Sequence, residues 1–149
     1  MERTLVFVKP DGVQRRLVGR IVARFEDKGL RIVAMKMMQV DRPLAERHYA
    51  EHRGKPFYET LLKFVTGGPI VAMVIEGNDA VAVARRMLGK TFGIEAEPGT
   101  IRGDFGAART FNLVHGSDSL ASAQREIALY FQPTEICSAP RVGEEWIFD

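Results

Sequence analysis

The chain has a single cysteine, Cys137, and so cannot form a disulfide within itself. That usage suits a reducing compartment, and the expectation is a cytoplasmic protein in which Cys137 packs as a small hydrophobe. No apolar run approaches the 18 or more residues of a membrane span. The start, Met1-Glu2-Arg3 followed by "TLVFVK", is too short and wrongly flanked for a signal peptide. Neither sign of charge dominates, since 21 Lys and Arg against 19 Asp and Glu leave a net +2. A general nucleic-acid binder is usually more lopsided, so anion recognition has to come from where the basic residues sit. Repeats, low-complexity tracts and linkers are missing too. The 149 residues, 46% hydrophobic, suffice to bury about two thirds of the unfolded surface around one core. One domain, residues 1–149, is expected.

Thr4 to Lys9 reads as a strand stopped by the turn triplet Pro10-Asp11-Gly12, which leaves Lys9 at a strand end. From Leu17 to Lys28, Val18, Ile21, Val22 and Phe25 recur at helical spacing, and Gly29 follows as a stop. Leu30 to Val40 is a β-branched, Met-rich strand; Pro43 suits the first turn of a second helix, and a short helix covers Tyr58 to Val65. Ile70 to Ile75 is apolar without alternation, as in a central strand covered on both faces. Asp79 is placed to cap a helix running to about Leu88. Gly89 to Thr110 holds five glycines and no period, and so long a loop is usually functional. Phe111 to His115 reads as a short strand. The closing helix, Ser119 to Phe131, turns Leu120, Ala123, Ile127 and Tyr130 inward. This order predicts an α+β fold, a ferredoxin-like β-α-β-β-α-β sandwich in which helices pack on a four-stranded antiparallel sheet.

Two motifs mislead. Ala84 to Thr91, "ARRMLGKT", differs from the phosphate-binding P-loop pattern only in its first residue. A P-loop needs a strand before it and a helix after it, so that free N–H groups surround the phosphates. Here the helix comes first, although Arg85 and Thr91 remain able to reach a phosphate from the helix end and the loop. His48-Tyr-Ala-Glu-His52 matches the H-x-x-E-H zinc motif, with Glu126 as a distant third ligand and a zinc hydrolase using His48, Glu51 and His52 as the implied function. Five-residue patterns arise readily on polar helices, and solvated surface histidines are the expectation.

Asn112-Leu-Val-His-Gly-Ser-Asp118 is more informative, because His115 ends a strand just before a helix N-terminus, where an anion is favoured. A structural and a chemical histidine both fit that stretch alone. Its company favours chemistry: Lys9, Arg85, Thr91, Arg102 and Asn112 also fall at strand ends or in the Gly-rich loop. With "RTLVFVKPDGVQR" (Arg3 to Arg15), "HYAEHRGKPF" (His48 to Phe57), "PGTIRGDF" (Pro98 to Phe105) and "NLVHGSDS" (Asn112 to Ser119), nearly the whole chain resembles nucleoside diphosphate kinase.

The resemblance implies reversible transfer of a γ-phosphate from a nucleoside triphosphate, mainly ATP, to a nucleoside diphosphate through a phosphohistidine at His115. It implies Arg85, Arg102 and Thr91 on the β- and γ-phosphates, with Mg²⁺ bound mainly through the nucleotide and no protein metal ligand. Lys9 and Asn112 would contact the ribose 3′-hydroxyl, Ser117 and Glu126 would position the histidine, Tyr49 would stand near the transferred phosphate, and Phe57 would stack on any base. It further implies a homo-oligomer, with the tail through Trp146 favouring a homohexamer over a homotetramer, and no requirement for membrane or nucleic acid. A catalytically silent nucleotide-binding regulator is the competing reading, and every catalytic position being filled counts against it. The chain departs from the family pattern at Phe92-Gly93 and at Arg109, whose guanidinium has either a stacking partner or solvent.

Overall fold

Along the first strand, β1 (Glu2–Val8), Leu5 and Phe7 point to one face of a sheet and Val6 and Val8 to the other, and none of the four is exposed. A strand buried on both sides must be covered by helices on both sides. The computed structural model, which describes residues 1–149, shows this arrangement. Four antiparallel strands, β1, β2 (Arg31–Gln39), β3 (Pro69–Gly77) and β4 (Val114–Gly116), lie in the order β2-β3-β1-β4. On the Phe7 face, Ala72 and Val74 of β3 meet Leu44 and Ala45 of α3 (Arg42–His48), Leu62 and Val65 of α4 (Tyr58–Val65) and Tyr130 of α7 (Leu120–Tyr130). On the other, Val71, Met73 and Ile75 meet Ile21 and Phe25 of α2 (Val18–Asp27), Ala84 and Leu88 of α5 (Ala80–Leu88) and Ile101 of α6 (Ile101–Phe105). The α+β, ferredoxin-like expectation holds, with the apolar Ile70–Ile75 run in a central strand. Each fully buried side chain of this kind contributes about 1.5–3 kcal/mol over its exposed state.

Local corrections have physical causes. Pro10 to Gln14 is not a bare turn but a short helix, α1, with Pro in its first turn, where a missing N–H costs nothing. The aperiodic Gly89 to Thr110 holds a 3-10 turn at Gly93–Glu95 and α6, whose N-cap Thr100 accepts from the Gly103 N–H at 3.0 Å. Asp79 does not cap α5: its own φ is +52°, and the carboxylate of Glu2 takes the Val81 N–H instead, at 2.8 Å. Phe111 to Leu113 do not join β4, because Leu113 has φ +72° and turns the chain; its N–H is held by Asp11 Oδ2 at 3.1 Å. On α7 the buried positions are Ala123, Glu126 and Tyr130, while Leu120 is exposed. Cys137 is exposed as well, in a segment whose Cys137 N–H meets the Val33 carbonyl at 2.7 Å.

The junction after α5 is held by Gly89. With φ +85°, and with a Cβ there falling 2.4 Å from Thr100 Oγ1, no other residue fits. Its carbonyl then faces Arg102, and the ends of α5, α6 and β4 are drawn to one place.

Candidate active site

β1 pairs with β4 so that Phe7 stands opposite His115, and the chain leaves β1 at Lys9. Both residues therefore open at one end of the sheet, onto a polar cavity of about 200 Å³. Lys9, Tyr49, Arg85, Thr91, Arg102, Asn112, His115 and Glu126, all singled out in the sequence, line it. Ser117 is buried just behind, and Phe57 stands outside it, 47% exposed, its ring 5.4 Å from that of His52.

Lys9, Arg85, Arg102, Asn112, His115 and Ser117 are each fixed by a partner. Lys9 Nζ donates to Asn112 Oδ1 at 2.8 Å, and Asn112 Nδ2 donates to the Thr91 carbonyl at 2.9 Å, tying the loop after α5 to the strand ends. Arg102 is buried and spends three donors on backbone: Nε on the Asn112 carbonyl (3.2 Å), one terminal nitrogen on Gly89 (2.9 Å) and the other on Val114 (2.8 Å). A guanidinium has five N–H donors, so two are left for a ligand. Arg85, in the last turn of α5, reaches the Gly116 carbonyl at 3.3 Å. His115 Nε2 lies 2.5 Å from Glu126 Oε1, and the Ser117 hydroxyl donates to the same oxygen at 3.2 Å. The His115 ring stacks on Phe7 with centroids 4.8 Å apart.

The electrostatics follow from burial and crowding of like charge. Burial first, then Lys9, Arg102 and Arg85, hold the pKa of His115 well below 6.5, so the ring is neutral at pH 7. Burial, then Arg102, lowers Lys9 to about 8, with Asp11 pulling the other way; burial, then Arg85, lowers Arg102 to about 10. Burial raises Glu126, against Ser117 and Arg125.

The H-x-x-E-H reading fails on geometry. α3 ends at His48 and Ala50–His52 is a 3-10 turn, so the two imidazoles are not one α-helical turn apart on one face. Nor is His48 a solvated surface residue: it is 5% exposed and lines the cavity. Its burial was legible in spacing, since Leu44, Ala45 and His48 share the inward side of α3. One nitrogen each of His48 and His115 and an oxygen of Glu126 do lie within 4.8 Å of one another. Lys9, Arg85 and Arg102 around them favour an anion over a dication. Asp118 and Arg125 also line the cavity and were not singled out beforehand. Arg109 does not point freely to solvent: it lies 4.8 Å over the Phe92 ring and pairs with Glu95 at 3.2 Å.

Three cations around an uncharged nucleophile accept a phosphate-bearing ligand and offer a group to attack it. On this frame the class is a phosphate-handling α+β enzyme. Its relatives make the class specific. The family model for nucleoside diphosphate kinase matches residues 2–136. A nucleoside diphosphate kinase of Listeria monocytogenes is 60% identical, covering 99% of this chain and 100% of the relative; one of Desulfitobacterium hafniense is 55% identical, covering 99% of each. The structure of a nucleoside diphosphate kinase from Halobacterium salinarum in complex with CDP superposes with a TM-score of 0.97 at 49% identity, over 99% of both chains. This chain belongs to the nucleoside diphosphate kinase family and is a phosphotransferase.

Proposed function

We propose that residues 1–149 form one catalytic domain that moves the γ-phosphate of a nucleoside triphosphate, ATP foremost, to a nucleoside diphosphate by a ping-pong route through His115. The observation that carries this is the anchoring of His115. The Ser117 hydroxyl on Glu126 and Arg125, 3.8 Å away, favour its carboxylate form, so the His115 Nε2–H donates and Nδ1 keeps the lone pair. In the first half-reaction Nδ1 bonds to the γ-phosphorus as its bond to the β–γ bridging oxygen breaks, and the diphosphate leaves with that electron pair. In the second, a terminal oxygen of another diphosphate attacks the same phosphorus and returns the lone pair to Nδ1. A phosphoramidate is energy-rich enough for transfer either way.

The transition state spreads negative charge over the equatorial oxygens, so positioned cations do most of the remaining work. Arg85 and the two free donors of Arg102, with Thr91, are placed to hold phosphate; Lys9 and Asn112 meet the 3′-hydroxyl side; Tyr49 borders the transferred group. Phe57, exposed at the rim, stacks on a base, and stacking is worth about 1–3 kcal/mol for any base. The CDP bound by the Halobacterium relative accords with that tolerance.

Mg²⁺ enters as part of the substrate. Of the carboxylates lining the cavity, Glu126 is engaged with His115 and Ser117, and Lys9, Arg85 and Arg102 surround the space, which favours a cation that arrives already bound to phosphate. A homo-oligomer accords with β2 lying at the edge of the sheet with Met35 and Met37 exposed, and the preference for a hexamer over a tetramer rests on the tail through Trp146. No helix is long and apolar enough to cross a membrane. A cytoplasmic location accords with the free thiol of Cys137, and nothing in the mechanism calls for nucleic acid or lipid. Brief incubation with γ-labelled ATP tests the central step: the label should be acid-labile, alkali-stable and located on His115. Normal exchange without any labelled histidine would overturn the route.

A further inference from the structure

His48 is buried, polar and without a role in the route above. Tyr130 is buried on α7, and its hydroxyl lies 3.1 Å from His48 Nδ1. No other partner is offered to that hydroxyl, so its proton goes to Nδ1, which places the proton of His48 on Nε2. Burial keeps the hydroxyl of Tyr130 protonated far above neutrality and lowers His48 to about 3, so the arrangement does not change near pH 7. The ring of His48 then stands edge-on to His115, with centroids 4.5 Å apart at 75°, while Phe7 stacks on His115 at 28°. One hydrogen bond to Glu126 leaves an imidazole free to rock about the line of that bond, and two walls remove the freedom. Tyr49 also packs on His48, at 4.6 Å and 77°.

We propose that the His48–Tyr130 pair is a positioning element: the tyrosine hydroxyl locks the ring of His48, and that ring with Phe7 locks His115 for in-line attack. The inference rests on His115 being the nucleophile. It explains why a histidine rather than an apolar residue stands there. An aliphatic side chain would fill the space but would not be held in one orientation from a second element.

The test compares Tyr130→Phe, which keeps every wall but frees His48, with His48→Ala, which removes a wall, and His48→Phe, which restores an unlocked ring. Steady-state kcat and KM are measured on the full protein and normalised to the fraction of His115 that labelled ATP can phosphorylate. A misplaced nucleophile costs up to about a hundredfold. The expected kcat losses are about tenfold for Tyr130→Phe and about a hundredfold for His48→Ala, with KM within about twofold and part of the loss restored by His48→Phe. A purely structural pair would lower the labelled fraction and leave normalised kcat alone, and that result in Tyr130→Phe and His48→Ala overturns the proposal. Should His48→Ala not fold, Tyr130→Phe decides together with imidazole ¹⁵N NMR of the unvaried protein. His48 should appear there as one neutral Nε2–H tautomer across neutral pH, and a mixture of tautomers overturns the locking. Label on a residue other than His115 in the unvaried protein would sink the underlying route instead, which keeps the two failures apart.

Discussion

Of the eight polar or charged residues that are buried, six (Lys9, His48, Arg102, Asn112, Ser117 and Glu126) crowd around the cavity at the β1–β4 end of the sheet. The far edge is the reverse: β2 leaves Met35 and Met37 51% and 63% exposed. Buried polar groups are costly unless partnered, and here each of the six has its partner. Exposed apolar groups on an edge strand invite a neighbour. The first departure from ordinary burial builds chemistry within one chain, and the second is the surface that the proposed homo-oligomer would cover.

The sharpest way to break that contrast is to alter each region alone. His115→Ala should lower phosphotransfer by at least about a thousandfold, because no other positioned lone pair replaces Nδ1, and should leave the sedimentation coefficient unchanged. Met37→Glu should do the opposite, shifting the protein towards smaller species while each intact site still takes up label. If Met37→Glu removes labelling from a folded protein, the two regions are not separable.

Within the polar end, Arg102 and Arg85 differ in how they are held. Arg102 serves three carbonyls from a buried position, whereas Arg85 serves one at 3.3 Å. A lysine has no planar fork to span three acceptors. Arg102→Lys should therefore cost about 2–4 kcal/mol of stability as buried carbonyls lose partners, together with about a hundredfold in kcat/KM. Arg85→Lys should lower activity and barely move the denaturation midpoint. Equal stability losses would show that the backbone clamp around Gly89 is not the reason for the difference.

What could be read from the sequence divides along the same line. Strand ends and helix ends are local features, so Lys9, Arg85 and Asn112 could be placed at one rim, and Glu126 could be put on the edge of the apolar face of α7. Features set by distant partners could not be read. The Asp79 cap fails because Glu2 supplies the acceptor, and the strand ends short of Leu113 because Asp11, in another element, holds its N–H. α6 is five residues long, below the reach of any periodicity. His48 is expected at the surface when its helix is read as polar and solvated, whereas its spacing from Leu44 and Ala45 puts it on the inward side. Assignment of roles to Tyr49 and Phe57 came from resemblance alone, since nothing in their local pattern sets them apart.

The crowded end should also leave a mark on acid stability. His48 is held down at about 3 and His115 well below 6.5, mainly by burial. Between those values and the ordinary histidine pKa the unfolded chain binds more protons than the folded one, so stability rises with pH through that window. It is fully present above about pH 6.5 and declines on acidification, by up to about 1.4 kcal/mol per pH unit for each histidine, with the raised Glu126 opposing part of the fall. Denaturant midpoints between neutral pH and mild acid check this, and His48→Gln should remove its share of the slope. An unchanged slope in that variant would mean that His48 is not buried in its neutral form.

The smallest expected effect separates the free site from the occupied one. Lys9 is lowered to about 8 by burial and by Arg102, so above that value the free cavity loses one of its four cations. The pH profile of kcat/KM reports groups of the free enzyme, and kcat reports those of the complex. An anion beside Lys9 favours its charged form, so nucleotide binding should push its pKa back up. The alkaline fall, about tenfold per unit beyond the pKa, should therefore appear in kcat/KM and be absent or displaced upward in kcat. In Lys9→Arg the charge persists at every accessible pH, and the limb near 8 should vanish whatever activity is left. A limb that stays at the same pH in this variant would assign the titration to another group, and the distinction between free and occupied cavity would then have to be sought away from the end of β1.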